Sequence, residues 1–581
     1  MQRRRAGETK IGVWRNRGRR AFVTSCLAAA GATLALAAPA SAQAPEEVLQ
    51  PASYPDMTTY SCSTDPITIY PGQNLNLFGI TKTCPNAQAV SGPGDASPFA
   101  PGSTAQGFVT RFRPSMVEVY DDGRPVTTPS VWDLHLHHVV WLDFAAGGGP
   151  TFASGEEKTI ATMPQGYGYR TGGDQNWGLN YMIHSLNASE GRKVSITWEI
   201  DWVPLDSPSG AAMKRTRVEW LDVAGAPQVY PVFDAERGFD TNGDGKFVFP
   251  DEVPGDPAAP GFEEQPKISQ ARRWTVQNPT TLVFTAGHLH PGGTNVDLQV
   301  ARDGPDNGTV DGDDPGEIRQ LFRSDARYYD ARGAISWDVA MTATPRDWRI
   351  AVKAGDTLSI NVTYDVSKAS WYESMGIMPL AWSSAADPAA RDPFDDEAAV
   401  RAMYEEGGVL THGRLPENVD AKANKNLKLP DPRDLKSKGR RVPKGGIKVD
   451  SFLFSKGGYS ASKGIPKNLM RPPVIRPGQT VTFTNLDAPF GSADNEQAWH
   501  SITSCKAPCN RGAGIGYPLA RGPIKFDSGQ LGFGTGTSSE VTEGTNTFTT
   551  PPLTDKGVYT YFCRIHPFMR GSIRVKPKPK S

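Results

Sequence analysis

The chain has no surplus of positive charge. Its 62 Lys and Arg balance 62 Asp and Glu. The first 42 residues hold eight of the basic groups and one of the acidic, which leaves 54 against 61 and a net of −7 beyond them. That balance gives no support to a nucleic-acid-binding class. After residue 42 no apolar run is long enough to span a bilayer, so no membrane span is expected. Cysteine is scarce, with six residues, and so is histidine, with nine. Glycine (60) and proline (49) are plentiful instead, which reads as a turn-rich, mostly β chain. At 581 residues, three or four domains are expected.

Residues 1–42 read as an export signal. A basic stretch ends in Arg19-Arg20-Ala21-Phe22, an apolar run extends from Leu27 to Ala38, and Ala40-Ser41-Ala42 offers a cleavage site. The paired arginines resemble a twin-arginine signal, a route that exports folded proteins. An ordinary secretory signal fits the same residues. Either way the protein is expected in the periplasm, at the cell surface or outside the cell.

Near the C-terminus, Tyr561-Phe-Cys-Arg-Ile-His-Pro-Phe-Met569 places Cys563, His566 and Met569 at C-x2-H-x2-M spacing. A thiolate, an imidazole and a thioether on one tight loop form a soft donor set that suits copper cycling between two oxidation states. A trigonal site with two imidazoles needs a second histidine, for which His500 is the candidate. It follows Ile475-x-Pro477-Gly478-x-x-Val481-x-Phe483-x-Asn485, a turn and then an alternating strand. A β-sandwich would bring the end of that strand beside the last loop. These residues resemble the cupredoxin family from residue 446 to the C-terminus, and the Cys563-to-Met569 spacing is most similar to amicyanin. The resemblance implies a Greek-key sandwich with a type 1 copper held by His500, Cys563, His566 and Met569. Cys26 leaves with the signal. The other four cysteines pair by proximity as Cys62–Cys84 and Cys505–Cys509, as an oxidising compartment allows.

Taken in order, residues 43–100 read as an irregular lead-in stapled by the first disulfide. From Gly107 the pattern turns strand-like. Val194-Ser-Ile-Thr-Trp-Glu-Ile-Asp201 alternates cleanly, and Val131 to Asp143 carries His135, His137 and His138. A second set includes Thr281-Leu-Val-Phe-Thr-Ala-Gly-His-Leu-His290 and Thr357-Leu-Ser-Ile-Asn-Val-Thr-Tyr364. The expected architecture is all-β: two tandem jelly-roll-like sandwiches at 101–220 and 221–383, a linker at 384–445, then the cupredoxin sandwich at 446–581. One short helix is expected within the linker, from Asp395 to Glu406, and the rest of the linker reads as solvated.

Six histidines cluster on strand-like segments: His135, His137, His138, His184, His288 and His290. His412 in the linker stands apart. His-x-His on a strand points both rings to one face, which makes two legs of a metal site. Here the chain resembles the type II copper, ascorbate-dependent monooxygenases, peptidylglycine α-hydroxylating and dopamine β-monooxygenase. The resemblance implies two sandwiches with one copper each. The first copper would take the pair His137-His138 and the later His184. The second, which activates dioxygen, would take His288, His290 and Met375 and so be the catalytic one. Departures leave choices open. Val139 follows the first pair where the family has Met, His135 with His137 is an alternative ligand pair, and Met378 competes with Met375. The many disulfides of the animal enzymes cannot form here.

Asp240-Thr-Asn242-Gly-Asp244-Gly245 resembles the start of an EF-hand loop, with Asp251 at the twelfth position. Calcium on Asp240, Asn242, Asp244 and Asp251 is one reading, and a solvated acidic turn is the other.

The expectation is therefore an exported multi-copper protein that hydroxylates a C–H bond, with the cupredoxin domain as a tethered electron carrier. Its partners would be dioxygen, an organic substrate and a reductant or redox protein. The alternative is a non-enzymatic copper-binding, electron-transfer or copper-tolerance protein. Zinc in the histidine clusters is a third reading.

Overall fold

The structure is a computed structural model. It describes residues 47–577 apart from 70–75, 132–133, 186–190, 225–230, 236–239, 241–242, 251–272, 303–317, 330–332, 335–336, 368–370, 420–439, 443–445, 451–452, 455–457, 460–471, 488–499, 508, 510–523, 530, 532–545, 565 and 567–568. The export signal expected at 1–42 lies outside the described residues.

Strands β1 (Thr58–Ser63) and β2 (Asn76–Lys82) come first. They are followed by β3 (Gln106–Val119), β4 (Leu134–Asp143), β5 (Gly149–Gly155), β6 (Asn176–Ser185) and β7 (Arg192–Pro204). β7 pairs with β1 and β3, whereas β2, β6, β4 and β5 form a separate four-stranded sheet in that order. The sheets close on each other through aromatic side chains. Phe112 of β3 stacks on Phe152 of β5 at 4.2 Å and meets Trp141 of β4 edge-on at 4.7 Å. Each such ring removes roughly 150–250 Å² from water, which holds the layers together. β1 and β2 lie in the stretch expected to be an irregular lead-in. They are instead integral strands, because Tyr60, Cys62 and their neighbours alternate into the core, and the Cys62–Cys84 disulfide ties them in.

β8 (Lys214–Asp222) runs parallel to Tyr167–Gly172 of the first half. The second half adds β9 (Thr280–Thr285), β10 (His288–Leu289), β11 (Gly293–Ala301), β12 (Ile318–Tyr328), β13 (Thr357–Asp365), β14 (Trp371–Ser374) and β15 (Gly376–Ser383). β15 pairs with β8, β9 and β10, so one sheet continues through both halves. A second sheet built on β11, β12 and β13 shares its core, with Leu282, Ile377 and Leu380 in one buried cluster with Val296, Leu298 and Ile360. The division expected at residue 220 falls inside β8, the strand that joins the halves.

The segment expected as a linker straps onto the body up to Val419. Helix α1 (Glu397–Glu406) forms where a helix was expected, capped by the Asp396 side chain. Its Val400 is buried in the body core. Val409–Leu410 adds to the Val339–Ala343 strand, Arg414 pairs with Asp338, and Glu417 pairs with Lys158. A polar composition hid a few well-placed apolar and charged contacts. Residues 420–439 lie outside the described residues.

The C-terminal region has two sheets. One contains β16 (Ile447–Asp450), β17 (Thr482–Asn485) and Thr547–Thr549. The other contains Thr503–Cys505, Gly557–Phe562 and Arg570–Val575. Phe454, Phe483 and Tyr561 pack edge-on between them, and the Cys505–Cys509 disulfide is formed. The fold is thus predominantly β and built of sandwiches, as expected. From Glu47 onward the chain is one compact unit, and its largest buried cluster includes residues of both the second body half and the C-terminal sandwich. Among the described residues no helix is long and apolar enough to cross a membrane.

Candidate metal centres

The C-terminal site is assembled by two strand ends. Gly557–Phe562 delivers Cys563, and the return turn into Arg570–Val575 delivers His566 and Met569, closed by Cys563 N–H to Met569 O at 3.0 Å and Met569 N–H to His566 O at 2.8 Å. His500 enters from the segment before Thr503–Cys505, pinned by backbone bonds to Leu531 in both directions. Cys563 Sγ lies 3.9 Å from Nδ1 of both His500 and His566, and those two nitrogens are 3.2 Å apart. Met569 is buried with them. The Asp487 carboxylate accepts from His500 Nε2–H at 2.9 Å, which leaves Nδ1 toward the thiol. Two backbone N–H groups, of Ser501 and His566, point at Cys563 Sγ from 3.3 and 3.2 Å. Burial alone would raise the thiol, but hydrogen bonds from His500 and His566 outweigh it and bring it down to about 5. A buried thiolate with two imidazoles and a thioether is a type 1 copper-like donor set.

In the body, His135, His137 and His184 bring one ring nitrogen each to within 4.8 Å of one another. β4 and β6 supply them. The register between these strands shifts so that His138 faces Met182 and Leu136 faces Ile183, which leaves His137 as the extra residue of a bulge. The resemblance implied the pair His137-His138; the triad contains His135 in its place, the alternative left open by the spacing. His138 instead shares a 3.0 Å hydrogen bond with Asn76 Oδ1. The His137 ring stacks on His184 at 4.2 Å and lies 4.4 Å from His290. The two histidine pairs expected in separate sandwiches therefore come together, His137 on the four-stranded sheet and His290 just after β10 of the sheet that runs through both halves.

Oxygen acceptors orient these rings. His135 Nδ1–H donates to Val131 O at 2.9 Å, His290 Nδ1–H donates to Glu373 O, and His288 Nδ1 meets Glu157 Oε2 at 3.1 Å. Each of these bonds leaves Nε2 with its lone pair, as in a ligating imidazole. The Nε2 atoms of His184, His288 and His290 are buried without a hydrogen-bond partner, and His135 Nε2 lies 3.4 Å from Glu156 Oε1. Buried polar atoms without partners are rare and call for an ion or a water. These donors fit a metal that binds imidazole. Burial pushes His135 and His138 down to about 3. Burial, together with the neighbouring imidazoles of His135, His566 and His290, holds His184 well below its ordinary value. Burial with Glu157 nearby raises Glu156 well above the carboxylate range. Burial would raise Glu157 too, but the His288 ring outweighs it and lowers that carboxyl.

Met375 lies on the wall of a cavity shared with His138, Glu157 and His288. Its backbone is held by the Tyr364 hydroxyl, which donates to Met375 O at 2.8 Å and accepts from Met375 N–H at 2.9 Å and His290 N–H at 3.1 Å. Met378 is buried in the core and does not line this cavity. A side chain at Gly155 would meet His288 Cε1 at 2.5 Å and Glu157 Oε2 at 2.6 Å, so this position requires glycine. Sequence reasoning missed Glu156, Glu157, Tyr364, Asp487 and Trp337, whose ring lies 4.9 Å from His137. None of them shares a spacing with the histidines. His412 bonds the Glu157 carbonyl. Of the calcium candidates, Asn242 and Asp251 lie outside the described residues. Asp240 and Asp244 accept from Gly245 N–H and Lys246 N–H, at 3.0 and 2.7 Å. Among the described residues, the groups of three or more His, Cys, Asp or Glu close enough to hold a metal are the triad and the set of His500, Cys563 and His566.

Arg564 is one place where the two regions meet. Arg564, between ligands Cys563 and His566, is buried, pairs with Asp527 at 3.0 Å and places its guanidinium 5.2 Å from the Trp371 ring. Trp371 and Glu373, whose carbonyl holds His290, are on the same strand, β14.

The C-terminal region is thus cupredoxin-like, with a type 1 copper-like site. No protein-family model matches the chain, and no curated protein does. Among solved structures it is similar to a purple cupredoxin from Nitrosopumilus maritimus, at 23% identity over 18% of this chain and 75% of that one, TM-score 0.11. A reduced Cu(I) form of an amicyanin mutant aligns at 16% identity over 25% of this chain and 89% of that one, TM-score 0.12. A copper-containing nitrite reductase from Thermus scotoductus SA-01 aligns at 13% identity over 52% of this chain and 55% of that one, TM-score 0.15. The class stated above rests on the donor set and the two-sheet fold, not on these likenesses.

Proposed function

We propose that this protein is an exported copper oxidoreductase that hydroxylates a C–H bond, with the C-terminal site delivering electrons to the histidine cluster of the body. The observation that carries the reading is that His288 and Met375 face a cavity and not a closed ligand shell. An exchangeable position facing space is what catalysis needs and simple storage does not. Copper held by His288, His290 and Met375, and by the His135–His137–His184 triad, would supply one-electron redox chemistry and dioxygen activation. The overall balance is R–H + O2 + 2 e⁻ + 2 H⁺ → R–OH + H2O, with both electrons from an external reductant. The chain's own part is to hold the rings in their ligating tautomer through Val131, Glu157 and Glu373, and to keep bulk water away by burial. Arg564 against Trp371 supports direct contact between the electron donor and the body, in place of a freely tethered carrier. The two disulfides suit an oxidising compartment.

One observation favours the non-enzymatic alternative. The His135–His137–His184 triad is fully buried, as a storage or relay site would be. One experiment separates the readings. Reduced, copper-loaded protein is exposed to labelled dioxygen and a substrate panel, and metal content and electron-spin spectra are recorded in parallel. One labelled oxygen atom in a product supports hydroxylation. Full copper loading without dioxygen consumption supports the binding reading, and zinc at His288 and His290 ends the monooxygenase reading.

A further inference from the structure

We propose that the cavity beside His288 and Met375 is a chamber for a small, uncharged, apolar molecule. This rests on the oxidoreductase reading and names its substrate class. The cavity has a volume of about 70 Å³ and lies between the two halves of the body, with walls from Phe152, Val218, Trp220, Phe284, Ile377 and Ala381. It is smaller than the apolar cavities of roughly 150 Å³ that take up benzene. No Lys or Arg is among its lining residues, so an anion would find no counter-charge there. Its one carboxylate, Glu157, is already engaged by His288 at 3.1 Å and by Gly155 N–H at 2.8 Å, so a cation would have to displace those bonds. The ionisable side chains, His138, Glu157 and His288, and the Met375 thioether are the chemically reactive part of an otherwise mainly apolar lining. The neutral polar side chains of the lining are Thr151, Ser154, Thr159 and Asn180, of which Thr151, Ser154 and Asn180 already bond to Gly149 O, Gly155 O and Leu77 O. A guest therefore meets mainly apolar wall beside His288, His138, Thr159 and the thioether. The chemistry that fits is a short hydrocarbon or a similarly small neutral molecule, as opposed to a peptide, a sugar or a carboxylic acid.

Xenon is the first probe, because it reports apolar space independently of copper and of turnover. Crystals of the full chain under xenon pressure should show density in this cavity. Ala286→Leu, which fills the wall, should lower xenon occupancy about tenfold while the blue absorption of the C-terminal site is retained. Val218→Phe serves as a second filling variant, with the same blue band certifying its fold. In the copper-loaded reduced protein, labelled-oxygen incorporation should be greatest for alkanes and alkenes of a few carbons, and it should fall with chain length. A xenon-free cavity filled with ordered water overturns the proposal. Oxygen insertion into large or charged substrates, unchanged by Ala286→Leu, also overturns it but leaves the oxidoreductase reading standing. Xenon binding that both filling variants abolish, without oxygen insertion into any hydrocarbon, upholds the chamber as a binding site and ends the hydroxylation reading.

Discussion

The two candidate centres of this protein are built in opposite ways. The C-terminal site draws three of its four donors from one seven-residue stretch, so a single turn brings Cys563, His566 and Met569 together, and only His500 has to arrive from elsewhere. The body cluster draws its donors from β4, β6, β10 and the residue after it, and from Met375 between β14 and β15, across two halves that share a sheet. A local site is specified by spacing and tolerates rearrangement of the rest of the chain. A distributed site exists only when every strand is in register. A one-residue slip of β4 against β6 would turn the ligating rings to the other face.

That contrast predicts how each site fails. The largest effect is expected at the local site, where one atom decides the chemistry. Cys563→Ser should abolish the thiolate-to-copper absorption entirely, leaving the body's metal content unchanged by elemental analysis. Retention of the blue band would falsify the assignment.

Next in size is the loss of a distributed ligand. His184→Ala should lower copper affinity in the body beyond the roughly 10–100-fold typical of losing an outer-shell partner, with the blue band intact. Glu157→Gln, which removes the carboxylate orienting His288, should fall within that range. Equal losses at the blue site in either variant would show that the two centres fold as one, against the comparison drawn above.

Smaller still is the effect on communication between them. Trp371→Phe keeps an aromatic ring but loses the hydrogen bond of its indole N–H to Asp365 O and reshapes the Arg564 contact. Rapid-mixing absorption under anaerobic conditions should show slower reoxidation of the blue site by the body, with copper content at both sites unchanged. An unaltered rate would mean that electrons take another route.

The mildest distinction lies in pH. In metal-free protein, His135 and His138 are held down to about 3 from 6.5 by burial. Between those values the unfolded chain binds protons that the folded one does not, so this stabilisation is full above 6.5 and is lost as pH falls toward 3. His500 behaves oppositely. Burial would lower it, but Asp487 and Cys563 raise it to about 9, so its contribution is full below 6.5 and fades as pH rises through 9. Limited proteolysis of metal-free protein should therefore open the body first in acid and the C-terminal sandwich first in mild alkali. A reversed order would contradict the burial argument.

Most of the local site was legible in the sequence. Soft donors at short spacing admit few other uses, and the structure brings His500, Cys563 and His566 within reach of one another. The disulfides Cys62–Cys84 and Cys505–Cys509 were legible for the same reason, since short separations leave few partners. In the body, the sequence identified the histidines that matter and the faces that His-x-His pairs share. It did not identify the grouping. A bulge at His137, one residue of extra backbone, makes His135 the triad's partner and leaves His138 to Asn76 and the cavity. Apart from the expected helix, the strap from 384 to 419 read as solvated because its few buried side chains are diluted by charge.

What the sequence determined by itself was donor chemistry and alternation: which residues can bind a soft metal, and which strands have a face to bury. Tertiary structure alone decided which histidines meet, which carboxylates orient them, and that a small apolar cavity lies beside Met375. The physical reason is range. Spacing along one turn or strand sets geometry within about 10 Å, whereas the body cluster depends on sheet register between strands more than a hundred residues apart, such as His288 and Glu157, 131 residues apart.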